Sequence, residues 1–230
     1  AAPAAAENPA KKDPAAEDLA TEDAKTEDPA PAPRPHPPVG TRGIDIWIGH
    51  SMATGGVIGK IRDSSFDLFG VRYRQTMAQI GVGGPTLAYT GGVVGADLRI
   101  PRSARPALPD STRPTSDFRA LGLGLTPVGL ELAGSAAARF RPFASGHTGF
   151  IYFFAPVPDR QGKSVNFTAS VGIGLRVRVV DASMLTVGYR YHHTSNGFRG
   201  QINPGVDANL LYVGITLFPR LPGRPARPPE

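Results

Sequence analysis

The stretch Asn166–Val179, NFTASVGIGLRVRV, alternates between two kinds of side chain along its whole length. Its odd-numbered positions are all apolar, whereas its even-numbered positions are polar, positively charged or glycine. Successive side chains of a β-strand point to opposite faces, so this period of two predicts one long strand. Strands of globular proteins are usually about five or six residues long. An apolar face opposite a polar or small one, over this length, is typical of a strand in an outer-membrane barrel.

Seven further segments have comparable length and patterning. The eight predicted strands are Gly43–Ala53, Phe66–Met77, Thr86–Ile100, Asp117–Leu132, Phe140–Ala155, Ser164–Val180, Met184–Thr194 and Asp207–Phe218. The alternation slips at Thr126-Pro127 and near Gly91-Gly92, where a bulge or a break is expected. The polar segment Pro101–Ser116 predicts a long loop on one rim. Together these features predict an all-β fold, an eight-stranded antiparallel up-and-down transmembrane β-barrel.

A soluble barrel or sandwich is the alternative, because its strands also alternate. In that fold the apolar face would lie inside and the polar face outside. Long strands, glycine on the polar face and few lysines favour the membrane barrel. No apolar run reaches the roughly 18 residues that a membrane-spanning helix needs.

The two ends of the chain differ from its middle. Residues 1–42 are rich in alanine, proline and acidic side chains, with almost no large apolar ones, which predicts a disordered tail. Residues 43–219 form the predicted barrel, and residues 220–230 form a second tail rich in proline and arginine. The sequence starts without methionine or a signal-like segment, so we expect a mature, exported chain whose signal peptide has been removed.

Charge and cysteine content narrow the possible partners. The net charge is +6, although acidic residues outnumber basic ones in the first 40 residues, so the body is more basic than the total suggests. A basic body favours anionic partners such as phosphorylated lipid head groups or nucleic acid. The chain has no cysteine, which excludes disulfides and thiolate metal sites.

Candidate catalytic residues end the seventh predicted strand, within YRYHHTSNG. Strand parity places His193 and Ser195 on the outward, apolar face and His192 on the inward face. Residues two apart on a strand have Cα atoms about 6.6 Å apart and parallel side chains. His193 could therefore act as the base for Ser195. The alternative is that these are ordinary solvated residues at a barrel rim.

The eighth strand supplies a candidate third member, because the phase of its apolar face carries back to Asp207. A carboxylate there could accept a hydrogen bond from His193 and stabilise its imidazolium form. Amide side chains and glycine N–H groups are the usual donors of an oxyanion hole. The loop between the two strands supplies Asn196, Gly197, Asn203 and Gly205.

The pattern His193-Thr194-Ser195-Asn196, followed by Asn203 and Asp207, resembles that of the lipid A 3-O-deacylases. The stretches LGLTPVGLELAG and RPFASGHTGFIYFFAPVP also resemble the family's middle strands. The resemblance implies hydrolysis of the ester at the 3-position of lipid A, with release of a 3-hydroxy fatty acid. It implies Ser195 as nucleophile, His193 as base, Asp207 as orienting acid and Asn203 among the oxyanion donors. The family pattern has glutamate where this chain has Asp207, which is one methylene shorter.

The resemblance also implies a cellular location, a substrate and a set of partners for the protein. We expect an outer-membrane location, lipid A or lipopolysaccharide as substrate, no nucleic-acid partner, and no metal or cofactor. Arg190 and Arg199 are candidate contacts for lipid A phosphates. The rival hypothesis is a non-catalytic outer-membrane barrel that acts as a structural or interaction protein.

Overall fold

The computed structural model describes residues 39–53, 56–107, 113–180 and 182–219. Most of the predicted N-terminal tail, residues 1–38, and the whole predicted C-terminal tail, residues 220–230, lie outside the described residues. The tail assignments therefore stay predictions.

All eight predicted strands are confirmed, with bounds within two residues of those expected. The strands are β1 (Arg42–Ala53), β2 (Ser65–Gln79), β3 (Thr86–Ile100), β4 (Phe118–Ala133), β5 (Phe140–Val157), β6 (Lys163–Val180), β7 (Ser183–Ser195) and β8 (Val206–Leu217). A single 3₁₀ turn, Arg102–Ala104, follows β3 within the described residues. None of the helical structure in the described part of the chain is long and apolar enough to cross a membrane.

The strands form one closed barrel in sequence order, and each neighbouring pair is antiparallel. β1 pairs with β8 from Ile44 opposite Leu217 to Ser51 opposite Leu210, which closes the sheet. The connections β2–β3, β4–β5 and β6–β7 lie at one end of the barrel, here called the short-turn end. The connections that follow β1, β3, β5 and β7 start at the opposite end, here called the long-loop end.

The outward face is apolar, which excludes the soluble alternative. Large apolar side chains are exposed on every strand, among them Ile48, Phe69, Val93, Leu123, Phe154, Ile173, Val187 and Val213. Charged side chains are instead buried in the interior, where Asp45, Arg74 and Glu131 are all nearly inaccessible. This distribution is that of outer-membrane barrels.

The predicted irregularity in the fourth strand is present. The β4–β5 register shifts between Leu125 and Val128, and the β3–β4 register shifts between Thr90 and Gly92. Proline lacks an N–H for the ladder, so Pro127 is accommodated where the pairing is already interrupted.

The interior differs from the expected polar lumen at the long-loop end. There the inward side chains are apolar and fully buried, and they include Phe66, Leu98, Ile151, Phe153 and Leu210. Alternation is weak in these segments because both faces of the strand are apolar, as at Leu210 and Leu211 of β8. A packed apolar core therefore supports the strand ends that carry the candidate catalytic residues.

An ion network fills the middle of the barrel. Glu131 Oε2 lies 2.6 Å from Arg74 Nη2 and 2.8 Å from Arg176 Nη2. Asp45 lies 3.6 Å from each of the same two guanidinium groups. Two carboxylates thus compensate two buried arginines, as the low-dielectric interior requires.

Replacing Glu131 with leucine should destabilise the barrel strongly. The change leaves Arg74 and Arg176 with Asp45 alone, and breaking a buried ion pair costs about 3–5 kcal/mol. Urea unfolding of the refolded protein in detergent micelles measures the loss. Leu130→Ile, on the outward face of the same strand, is the control and should change the free energy of unfolding by less than about 1.5 kcal/mol. Equal stability of the two variants would contradict the role assigned to Glu131.

Candidate active site

His193 and Asp207 form a hydrogen-bonded pair at the long-loop end. They lie directly opposite each other in the β7–β8 ladder and share the outward face. His193 Nδ1 lies 2.6 Å from Asp207 Oδ1. The His193 side chain is 16% exposed, whereas the Asp207 side chain is completely buried. The structure thus brings together the predicted base and the predicted orienting acid, and the shorter aspartate reaches the ring.

The second oxygen of Asp207 holds the β1–β2 loop over the site. Oδ2 accepts backbone N–H groups from Val57 at 2.7 Å, and from Ile58 and Gly59 at 2.8 Å each. A carboxylate that accepts backbone N–H groups makes charge-assisted bonds, which are among the stronger hydrogen bonds. This loop is why an outward-facing carboxylate is buried.

Sequence reasoning missed the β1–β2 loop as part of the site. The only signal was the glycine content of Gly55–Gly59, GGVIG. A Cβ at Gly59 would lie 2.9 Å from Asp207 Oδ1, so glycine permits the close approach of the loop backbone. Such a contact has no periodicity that could reveal it in advance.

Gly205 is a second residue that shapes the site. It has a φ of +64°, in the left-handed region that favours glycine. A Cβ there would lie 3.0 Å from His193 Cε1, so the imidazole packs closely against this glycine. The adjoining Pro204 accepts a hydrogen bond from Lys60 N at 2.6 Å, which joins the β7–β8 loop to the β1–β2 loop.

Ser195 is the last residue of β7 and lies on the same face as His193. Within the described residues, no hydrogen bond joins its hydroxyl group to the His193 ring. A cavity of only about 10 Å³ adjoins Ser195 and is lined by Ile61, Asn166, Asn203 and Val206 among others. This volume is about that of one water molecule, so a substrate has to approach Ser195 from outside the barrel.

The two loop asparagines have different partners. Asn196 is buried, donates its backbone N–H to Asn203 Oδ1 at 2.9 Å, and donates its side-chain N–H to Ile202 O at 2.7 Å. Asn196 therefore holds the loop together. Asn203 accepts through Oδ1, and its Nδ2 has no partner among the described residues. The Nδ2 group of Asn203 is thus available as a hydrogen-bond donor.

The remaining candidates lie around the same loop. Gly197 follows Asn196 with a φ of +63°, so it turns the chain away from β7. Arg199 Nε donates to Asn196 O at 3.0 Å, and its Nη2 donates to Val165 O at 2.8 Å. Its guanidinium also stacks 4.7 Å from the Phe167 ring centroid. Arg199 therefore braces the loop against β6.

Two inward residues lie away from this site. His192 is buried inside the barrel, with its ring centroid 5.4 Å from that of Phe66, which agrees with the predicted parity. Arg190 was a candidate contact for lipid A phosphates, and that prediction is wrong. Its guanidinium is buried in the interior, 4.6 Å from the Trp47 ring and 4.7 Å from the Tyr212 ring. Cation–π stacking holds it there, out of reach of a lipid head group.

In the part of the chain that the structure describes, no group of three or more histidine, cysteine, aspartate or glutamate residues could hold a metal ion. The outward face instead carries a histidine–carboxylate pair next to a serine. The fold that carries them is an eight-stranded barrel of the outer-membrane type.

The family model described as lipid A 3-O-deacylase (PagL) matches residues 105–216, which include His193, Ser195 and Asp207. Over this range the chain is similar to the lipid A 3-O-deacylase (PagL) family, and the resemblance predicted from the sequence is confirmed.

One solved outer-membrane enzyme supports the fold. The crystal structure of the outer membrane enzyme PagL is 17% identical, covers 74% of this chain and 97% of its own, and superposes with a TM-score of 0.54. The crystal structure of Neisserial surface protein A is 14% identical, with coverage of 77% and 96% and a TM-score of 0.44. No curated protein gives a significant match to the chain.

Replacing Asp207 with alanine should release the β1–β2 loop. Because Oδ2 accepts three backbone N–H groups, its loss should raise amide hydrogen exchange at residues 57–59 about tenfold or more. Hydrogen exchange followed by mass spectrometry measures this. Ser195→Ala is the control and should leave the exchange unchanged. Unaltered protection in Asp207→Ala would show that the loop is held by other contacts.

Proposed function

We propose that the protein is an outer-membrane serine esterase that hydrolyses the ester at the 3-position of lipid A. The observation that carries the proposal is the outward-facing His193–Asp207 hydrogen bond, two residues from Ser195, within the segment that matches the family. The products are a 3-hydroxy fatty acid and the 3-O-deacylated lipid.

Asp207 determines which ring nitrogen of His193 can accept a proton. By accepting the Nδ1–H, its carboxylate selects the tautomer in which Nε2 carries a lone pair. It also stabilises the imidazolium ion that forms when Nε2 takes a proton. The backbone N–H groups on Oδ2 keep the carboxylate fixed, which holds the imidazole in one orientation.

The reaction has two stages. Ser195 Oγ turns towards Nε2, transfers its proton to His193, and attacks the acyl carbonyl carbon. The oxyanion forms beside Asn203 Nδ2 and the backbone N–H groups near Gly197. When the tetrahedral intermediate collapses, the carbon–oxygen bond to the sugar breaks and His193 returns the proton to the departing 3-oxygen. Water then gives a proton to His193 and attacks the acyl-serine, and His193 returns this proton to Ser195 Oγ as the fatty acid leaves.

The position of the site explains how a bilayer lipid reaches it. Outer-membrane barrels place their longer loops at the outer surface, so the long-loop end lies at the level of the outer leaflet. Ser195 and His193 continue an outward row that includes Val187 and Tyr189, both exposed to the acyl chains. A substrate diffusing in the leaflet meets the serine laterally and does not enter the barrel. Export through the inner membrane is part of this proposal.

Ser195→Ala and His193→Ala should each abolish deacylation while the barrel still folds. Removing either group eliminates the nucleophile or its base, and the rate should fall by about a thousandfold or more. Mass spectrometry of lipid A from expressing cells detects the missing 3-hydroxy acyl chain. Heat-modifiable migration on a gel reports the folding of each variant.

His50→Ala is the matched control for the histidine variant. His50 also faces outward and bonds to a carboxylate, Asp67, but Met52 stands where the active pair has a serine. Its loss should leave deacylation unchanged. Full activity in His193→Ala or Ser195→Ala would rule out the esterase.

Asn203→Asp should separate an oxyanion role from a structural one. Aspartate keeps an oxygen for the Asn196 N–H but loses the Nδ2 donor. Loss of one oxyanion donor lowers kcat about a hundredfold or more. Kinetics on purified lipid A should therefore show a fall in kcat with little change in KM. Asn209→Asp, which keeps the oxygen that accepts Tyr189 Oη–H, is the control. Full kcat in Asn203→Asp together with loss in Asn203→Ala would assign Asn203 a structural role only.

A further inference from the structure

A second feature of the outward face lies on the side of the barrel opposite the candidate active site. An apolar groove of about 520 Å³ crosses β1 to β5 and is centred on β3. Its walls include Phe69, Val93, Leu123 and Phe150. Because the barrel is closed, β3 lies four strands from β7 in either direction. The groove is therefore separate from His193 and Ser195.

Gly95 explains why a depression exists there. It lies opposite Phe69 in the β2–β3 ladder and opposite Leu123 in the β3–β4 ladder. A Cβ at Gly95 would lie 2.0 Å from Phe69 Cζ, so the Phe69 ring lies directly over this glycine. The missing side chain lets the aromatic ring lie down on the sheet, and a hollow remains between the neighbouring strands.

Charged residues lie immediately above the groove, towards the long-loop end. Asp97 and Arg99 follow Gly95 on the same face of β3, and Arg119 lies opposite Arg99 on β4. Asp97 accepts one bond from Arg99 Nη2 at 2.7 Å and two from Arg119, through Nε and Nη2, at 2.9 Å each. One carboxylate thus positions two guanidinium groups side by side.

Arg99, Arg119 and Asp97 together carry one net positive charge, and the neighbouring carboxylate of Asp67, which lies opposite Asp97 on β2, is bonded to His50. The Arg99 and Arg119 side chains are 53% and 59% exposed, whereas that of Asp97 is 16% exposed. The guanidinium groups therefore cover the carboxylate and present their remaining N–H groups to the surroundings. Paired guanidinium groups are suited to bidentate recognition of phosphate.

We propose that this face binds a molecule of lipid A, with an acyl chain in the groove and a phosphate on Arg99 and Arg119. The volume lies within the range of about 300–1,000 Å³ found for small-molecule sites. The apolar walls match the acyl chains of a lipid, and the two arginines above them match its phosphorylated head group. The choice of lipid A over other phosphorylated lipids rests on the proposed function, whereas the groove and the arginines do not.

Photo-cross-linking at the groove tests the proposal. A photo-reactive phenylalanine derivative is introduced at Leu123, which is exposed in the groove, in a Ser195→Ala chain that cannot consume the lipid. The protein is reconstituted in phosphatidylcholine vesicles that contain a minor fraction of lipid A, and adducts are identified by mass spectrometry. Arg99→Gln combined with Arg119→Gln should lower the lipid A adduct about tenfold, because each arginine near a membrane surface attracts anionic lipid.

Arg139→Gln is the matched control, since Arg139 is an exposed arginine at the short-turn end. It should leave the adduct unchanged. Equal lipid A adducts in the double variant and this control would overturn the site. Phosphatidylglycerol competing as well as lipid A would overturn the choice of lipid. Because the assay needs no hydrolysis, its outcome is independent of whether Ser195 is a nucleophile.

Discussion

Hydrogen bonding between β1 and β8 closes the sheet, and closure determines which side chains can meet the bilayer. Backbone groups within hydrocarbon must be paired inside the protein, so a spanning sheet has to have no free edge. Once the register is fixed, each side chain of a strand points either to the lipid or to the interior of the barrel. The neighbouring His192 and His193 are separated in this way into a core residue and a member of the candidate site.

The filled interior is consistent with a candidate site on the outward face. Glu131 and Asp45 compensate Arg74 and Arg176 in the middle of the barrel, and an apolar core occupies the long-loop end. The same apolar core packs beneath the ends of β7 and β8, and Phe66 contacts the ring of His192 next to the site. The interior therefore serves as a rigid support for groups on the opposite face of the same strands.

Much of this architecture could be predicted from the sequence, because a period of two reports strand parity directly. Parity assigned His193, Ser195 and Asp207 to one face, and Pro127 marked the irregular strand. What could not be predicted depends on contacts between distant segments. The bonds from residues 57–59 to Asp207 join parts of the chain about 150 residues apart and follow no pattern. Arg190 shows a related difficulty, since it shares the parity of the inward His192 but only the rings around it reveal its partners.

Asp207 has two structural roles, and this affects how its substitutions should be interpreted. One oxygen orients His193, while the other anchors the β1–β2 loop that covers the site. The family pattern has a glutamate here, whose extra methylene would push the carboxylate towards either the ring or the loop. In this chain Gly59 and Gly205 bring both loops close to the His193–Asp207 pair, and the shorter aspartate fits the space that remains. Close backbone packing thus accompanies the shorter carboxylate in this chain. Loss of activity in an Asp207 variant consequently combines a misoriented histidine with a displaced loop, so hydrogen exchange in the loop has to be measured alongside the rate.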